Sequence, residues 1–171
     1  MPVTISGSSP TFSSGYQGGT IISGTAQAST SGTSIDFTSI PSWVKRVTIS
    51  FGNVSTSGSS FKLVQIGAGS VTTSGYASQS SFIGSAVNTT TSTAGFVINS
   101  GSASEFVNGH CVLTLISSNT WACSLTVTTY SAGMTTGAGY ITLSGTLDRV
   151  RITTVNGTDT FDAGTINILY E

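Results

Sequence analysis

The chain has very few charged residues. Only 6% of its 171 residues are Asp, Glu, Lys or Arg, whereas an ordinary soluble domain carries about 25%. With five Lys and Arg residues and a net charge of −1, it lacks the clustered cations that a nucleic-acid partner requires. Low charge also removes most of the repulsion that keeps proteins apart. The composition therefore permits close self-association, as in fibres and lattices.

Long apolar runs and targeting signals are also absent. No stretch approaches the roughly 20 apolar residues of a membrane span. The first ten residues, MPVTISGSSP, have neither the basic region nor the apolar region of a secretory signal. We therefore expect synthesis in a cytoplasm and no membrane partner.

Histidine and cysteine are too scarce for most catalytic or metal sites. His110 is the one histidine, and the chain has no G-x-S-x-G elbow that would present a serine nucleophile to it. The only two cysteines, Cys111 and Cys123, fall on a diagonal of a predicted hairpin. Diagonal neighbours lie ~7–8 Å apart, beyond the ~6.8 Å that a disulfide allows. We interpret both as small buried apolar residues.

The carboxylates offer no better candidate. Asp148, Asp159 and Asp162 look like turn residues or partners of Arg149 and Arg151 rather than a glycosidase pair. A loop with Asn156, Asp159 and Asp162 offers oxygen ligands to Ca²⁺, but the spacing matches no EF-hand loop. Capping of turns by these side chains is the favoured interpretation. The sequence predicts no enzyme activity and no cofactor.

Short strand patterns between turn signals are abundant. Roughly a third of the residues are Ser or Thr, 21 are Gly, and no helical period appears. The pattern predicts an all-β, antiparallel β-sandwich, jelly-roll-like by first choice and another Greek-key sandwich by second. The strands are expected at 34–40, 44–51, 61–66, 75–83, 94–98, 107–129 (a hairpin), from 140 onward, at 150–153 and at 166–170.

Loops are expected at 54–60, at 88–93 and in the Gly-rich segment 134–139. The hairpin at 107–129 is predicted to turn through a three-residue loop with Asn119 in the left-handed region. Its register makes one face wholly apolar. The pairs are Leu115 with Trp121, Leu113 with Cys123, and Cys111 with Leu125.

The domain boundary is expected near residue 34. Residues 35–171 form the sandwich, and residues 1–34 form an extended N-terminal arm. One interpretation of the arm is a loose terminal segment. The other is a docking arm that binds a neighbouring chain, because a flexible linker would not need Ile21 and Ile22.

The end of the chain carries the most specific pattern. Residues 143–171 read LSGTLDRVRITTVNGTDTFDAGTINILYE, which predicts two strands around a turn-rich loop as a closing hairpin, with a well-paired last strand. This stretch, with PSWVKRVTISF at 41–51, resembles a domain found at the ends of proteins from tailed bacteriophages and prophages. The likeness covers about residues 35–171. It implies a part of a virion fibre, tail or capsid surface, and it brings no catalytic residues.

The resemblance sets the functional expectations. The first is a non-enzymatic structural protein on the surface of a tailed-phage virion, of fibre or tail-tip type, which contributes to host attachment after synthesis in the host bacterial cytoplasm. The alternatives are a capsid decoration protein and, third, a free carbohydrate-binding module. Expected partners are the chain itself, as a trimer that buries its sheet edges, other virion proteins through the arm, and a host surface glycan. Loop aromatics are the candidate contacts: Tyr76, Tyr130 and Tyr140, together with residues 89–94. The alternative interpretation is that most of these tyrosines belong to the core or to a subunit interface.

Overall fold

The computed structural model describes residues 21–129 and 133–171, and in these residues every regular element is a strand. The strands are β1 (Ile22–Ser23), β2 (Gln27–Ala28), β3 (Ile35–Thr38), β4 (Arg46–Thr56), β5 (Lys62–Ala68), β6 (Ser70–Val71), β7 (Ala77–Ile83), β8 (Val87–Ser92), β9 (Phe96–Ile98), β10 (Val107–Ser117), β11 (Thr120–Thr129), β12 (Gly133–Thr142), β13 (Arg149–Thr154) and β14 (Phe161–Tyr170).

The strands form two antiparallel sheets. The larger, nine-stranded sheet has the order β1-β14-β4-β10-β11-β12-β7-β8, with β2 also paired to β14. The smaller, five-stranded sheet has the order β3-β13-β5-β6, with β9 also paired to β5. Inward side chains of both sheets share one hydrophobic core. The predicted all-β sandwich is confirmed.

The connectivity is jelly-roll-like. Three pairs are nested from the two ends of the chain inward, namely β4 with β14, β5 with β13 and β7 with β12. The β10–β11 hairpin lies inside them in sequence. Such nesting results when one long hairpin is rolled into two sheets. Here β10 also pairs with β4, which inserts the hairpin into the larger sheet.

The predicted register of the β10–β11 hairpin is confirmed, and its turn differs. Leu115 lies opposite Trp121, and Cys111 lies opposite Leu125. The turn closes at Ser117 and Thr120, and a register shift falls between Leu115 and Ser117. Ser118, at φ 48°, takes the left-handed conformation that the sequence had assigned to Asn119. Ile116 is extruded at this irregularity and is 62% exposed.

The closing segment is not a hairpin. β13 lies in the smaller sheet and β14 in the larger one, so the loop between them crosses from one sheet to the other. The last strand is well paired, as expected: β4 lies on one side of β14, and β1 and β2 lie on the other. The alternation of side chains therefore predicted both strands, but it did not show which strand each of them pairs with.

Two predicted loops are strands. Residues 88–93 fall mostly in β8, and the Gly-rich segment 134–139 lies within β12. The glycines of β12 allow close packing against β7. A Cβ on Gly137 would lie 2.7 Å from the Ser80 Cβ, and one on Gly139 would lie 2.5 Å from the Ala77 carbonyl oxygen. The loop expected at 54–60 begins later, because β4 continues to Thr56.

The N-terminal arm is described from residue 21 onward, and residues 1–20 lie outside the described residues. Ile22 and Ser23 pair with Tyr170 and Leu169 of β14. The second short strand, β2, pairs further along β14. This part of the arm therefore packs on its own domain.

Candidate functional site

The outer face of the larger sheet is uncharged across four neighbouring strands. β11, β12, β7 and β8 lie side by side, and their sequences contain no Asp, Glu, Lys or Arg. Alternate residues of each strand point away from the core, as the period of a strand requires. The exposed positions on this face include hydroxyl and amide side chains: Ser124, Thr126, Thr128, Thr136, Gln79, Thr89 and Thr91.

A groove with a volume of about 850 Å³ lies on this face. It crosses β12, β7 and β8 and continues to the residues just after β8. The side chains that line it on the solvent side are Thr136, Ala138, Tyr140, Ala77, Gln79, Ser81, Thr91 and Thr93. The groove is therefore built by strands with a packed core beneath them, and its shape depends little on loop conformation.

Three alanines surround Tyr140 and leave open space around its ring, and we call this area the clearing. Its Cα partner on β7 is Ala77, and its Cα partner on β11 is Ala122. Ala138 precedes it by two residues on the same face of β12. Methyl groups are too short to cover a phenol ring, and the residue is 55% exposed. The result is a flat aromatic surface with free space around it.

Polar side chains adjoin the clearing. Gln79 lies opposite Ala138 on β12 and opposite Thr91 on β8. Beyond it, the Ser81 hydroxyl lies 3.2 Å from the Thr89 hydroxyl. Hydroxyl and amide groups both donate and accept hydrogen bonds. The groove thus combines one aromatic surface with neutral groups of both hydrogen-bonding kinds.

The three predicted tyrosines have different positions. Tyr140 lies in the groove, and Tyr130 lies outside the described residues. Tyr76 is only 2% exposed, so its ring belongs to the core and is not available for a ligand to stack on. Its hydroxyl accepts a hydrogen bond from the Ile66 N–H at 2.8 Å. The expectation that Tyr76 is a surface contact is therefore wrong.

The structure brings two predicted segments together. β12 and β8 flank β7, so Tyr140 and residues 91–93 line the same groove. Sequence reasoning missed Gln79 and the three alanines. Residues 77–81 read ASQSS, which has no apolar alternation to show which way Gln79 points. The partner strand of a non-local pair also leaves no mark in a single sequence.

The Asp159 carboxylate forms hydrogen bonds within the loop between β13 and β14 and with Ser60. The Asp159 carboxylate accepts hydrogen bonds from Asn156 Nδ2 at 2.6 Å and from the Ser60 N–H at 3.0 Å. The bond from Asn156 lowers the pKa of Asp159 most. The Asn156 side chain in turn accepts hydrogen bonds from the N–H groups of Thr158 and Asp159. This is the turn capping that the sequence favoured over a calcium loop.

The arginines of β13 are paired. Arg149 bonds to Asp148, as expected, with Nε and Oδ1 2.7 Å apart. Arg151 pairs with Asp36 of β3 at the same distance, a partner that sequence reasoning did not identify. Within residues 21–129 and 133–171, no three or more His, Cys, Asp or Glu side chains are grouped to hold a metal ion.

His110 and the two cysteines lie on opposite faces of the larger sheet. His110 is exposed on the outer face, with Ser50 and Thr126 as its Cα partners on the adjacent strands. Cys111 and Cys123 are buried free thiols, as the sequence predicted. Their Sγ atoms lie 3.2 Å apart.

No helix in the described part of the chain is long and apolar enough to cross a membrane. No protein-family model, no curated protein and no solved structure matches the chain.

Proposed function

We propose that the chain is a non-enzymatic protein of a tailed-phage virion surface, of fibre or tail-tip type, and that the outer face of β11, β12, β7 and β8 contacts the host. The virion assignment rests on the resemblance of residues 41–51 and 143–171 to phage and prophage proteins. One structural observation supports the contact: Tyr140 is 55% exposed in a groove on an uncharged face.

An uncharged face favours contact by stacking and hydrogen bonding rather than by electrostatic attraction. Charged surfaces steer partners over long distances, and salt screens that attraction. A face without charge exerts no such attraction, so salt has nothing to screen and the affinity changes little with ionic strength. Such a contact works equally well in fresh water and in a salty medium.

The same face is rigid enough to recognise a fixed shape. Beneath it lie Leu125, Val127 and Ile141, which are 3%, 1% and 2% exposed. Recognition sites on strands hold their geometry better than sites on loops. The groove is therefore preformed, and binding requires little ordering of the chain.

A decoration protein is the second candidate, and the edge strand β8 favours it. β8 is paired to β7 on one side, and its sequence, VNTTTS, has neither charge nor proline. Charged residues and proline are the features by which edge strands normally resist pairing with another chain, and β8 lacks both. An apolar stripe starts at the first residue of β8 and crosses the two neighbouring strands. Its members are Val87, Ile83 and Met134, which are 67%, 42% and 38% exposed. An edge of this kind joins subunits in a trimer or a shell.

Adsorption of the phage that encodes the chain separates the two candidates. Purified protein is added in excess to host cells before the phage. Attachment predicts slower adsorption, with Tyr140→Ala less effective than the natural chain and Trp43→Ala unchanged. Trp43 is a suitable control because it is 46% exposed and is not part of the groove. Unchanged adsorption, together with heads that lose heat stability when the protein is deleted, would favour decoration.

A further inference from the structure

We infer that the groove on β12, β7 and β8 binds a neutral oligosaccharide, with one sugar ring stacked on Tyr140. This rests on the proposed function, because it names the ligand class of the same contact face.

The surroundings of Tyr140 suit a pyranose ring. A sugar ring has C–H groups on its faces and hydroxyls around its edge, so it needs a flat apolar surface with polar groups beside it. Tyrosine supplies such a surface at a low entropy cost. Ala77, Ala122 and Ala138 leave the space around the phenol open, so a ring can lie against it.

The polar groups next to the clearing suit sugar hydroxyls. A sugar hydroxyl both donates and accepts hydrogen bonds, and so do the amide of Gln79 and the hydroxyls of Thr91 and Thr136. The volume of about 850 Å³ falls in the range of roughly 300–1,000 Å³ that small-molecule sites occupy. The groove therefore has room for a short oligosaccharide.

The absence of charge selects neutral sugars. The four strands carry no Lys or Arg, so a carboxylate or phosphate on the ligand would lose water without gaining a cation. The second possible occupant is a protein. A protein partner normally buries about 800 Å² of surface on each side, with an apolar centre. In the clearing, the apolar surface consists of one ring and three methyl groups, and this favours the sugar.

The test begins with immobilised neutral and acidic oligosaccharides and the full chain as the probe, followed by calorimetric titration of the sugars that bind. We expect binding to neutral sugars only. Tyr140→Ala is expected to weaken it about tenfold, from the loss of a stacking contact. Tyr140→Phe, which keeps the ring, and the control Trp43→Ala should stay within about threefold of the natural chain. Equal melting temperatures of the variants show that the fold is intact.

Host cells treated with periodate, which cleaves sugar diols, or with protease identify the source of the ligand. Loss of protein binding after periodate alone supports the inference. Binding that is lost only after protease overturns the sugar ligand and leaves host attachment in place. Preference for acidic sugars, or unchanged affinity of Tyr140→Ala, also overturns it. A chain that binds no treated or untreated host cell contradicts the attachment function itself.

Discussion

The hydroxyl of Tyr76 joins the two sheets at Ile66. Tyr76 precedes β7 of the larger sheet, and Ile66 lies in β5 of the smaller one. The Ile66 N–H donates to the phenol oxygen at 2.8 Å, and the phenol proton is within reach of the carbonyl oxygens of Thr72 and Ile66, at 3.0 and 3.2 Å. The ring packs edge-on against Phe96, with 5.0 Å between centroids.

Tyr76→Phe should therefore destabilise the fold. Removal of the hydroxyl leaves a buried N–H without its acceptor, at a cost of about 1–3 kcal/mol in the free energy of unfolding. Tyr140→Phe is the matched control, because that ring is exposed, and it should stay within about 0.5 kcal/mol. Urea denaturation measures both. Equal effects of the two substitutions would refute the bridging role.

The Tyr76 hydroxyl should lose its proton only at unusually high pH. Burial raises the pKa of Tyr76 to about 12, against an ordinary value of 10.0. A raised folded pKa means that the stability from this group is complete below pH 10 and is lost as the pH rises through about 12. Absorbance at alkaline pH should show the late ionisation of the Tyr76 phenol in the natural chain. That phenol should be missing in Tyr76→Phe, and a titration unchanged by the substitution would exclude the assignment.

Lys62 is buried, and its charge is expected to cost stability. The side chain is 1% exposed, and Nζ lies 3.5 Å from the Ser100 carbonyl oxygen. Burial lowers the pKa of Lys62 below its ordinary 10.5, and Glu105, Asp159 and Asp162 oppose that shift in part. Between the lowered folded pKa and 10.5 the unfolded chain binds more protons, so stability should rise with pH across that window.

Lys62→Met should remove this effect. Methionine fills a similar volume without a charge, and we expect the free energy of unfolding at pH 7 to increase by about 1–3 kcal/mol, the usual cost of burying an incompletely hydrogen-bonded polar group. The rise of stability toward pH 10 should flatten in the same variant. Denaturation at several pH values checks both. A less stable variant at pH 7 would mean that the ammonium group contributes favourable contacts that outweigh its burial.

The two thiols should be unreactive while the chain is folded. The Cys111 hydrogen bond, together with burial, raises the pKa of the Cys123 thiol well above its ordinary value, and only thiolates react readily. A thiol reagent at pH 8 should label neither cysteine in native buffer and both in urea. Rapid labelling of the folded chain, or a mass that shows a disulfide, would contradict this arrangement.

Much of the fold could be predicted because a strand that is buried on one face alternates apolar and polar residues. The register of β10 and β11 followed from one apolar face, since a slip would have exposed Leu113 and Leu125. β12 was missed because its glycines serve close contact with β7, a pairing between distant segments. β8 was missed because an edge strand exposed on both faces has no apolar alternation.

The site was half predictable for the same reason. Tyr140 precedes an inward Ile141, so alternation places its ring outside. Tyr76 falls within the predicted strand 75–83, but Ser78 and Ser80 on the same face are polar, so alternation did not mark that face as inward. The tertiary contact with Ile66 decides its burial. The clearing of alanines depends on register across three strands, which only the structure supplies.

The most direct test of the virion attachment account is electron microscopy of intact phage particles with gold-labelled antibody against the chain. The account predicts gold at the tail tip or on projecting fibres. Gold spread over the head with the symmetry of the shell would contradict host contact and identify a decoration protein. Particles without gold would contradict the virion assignment altogether.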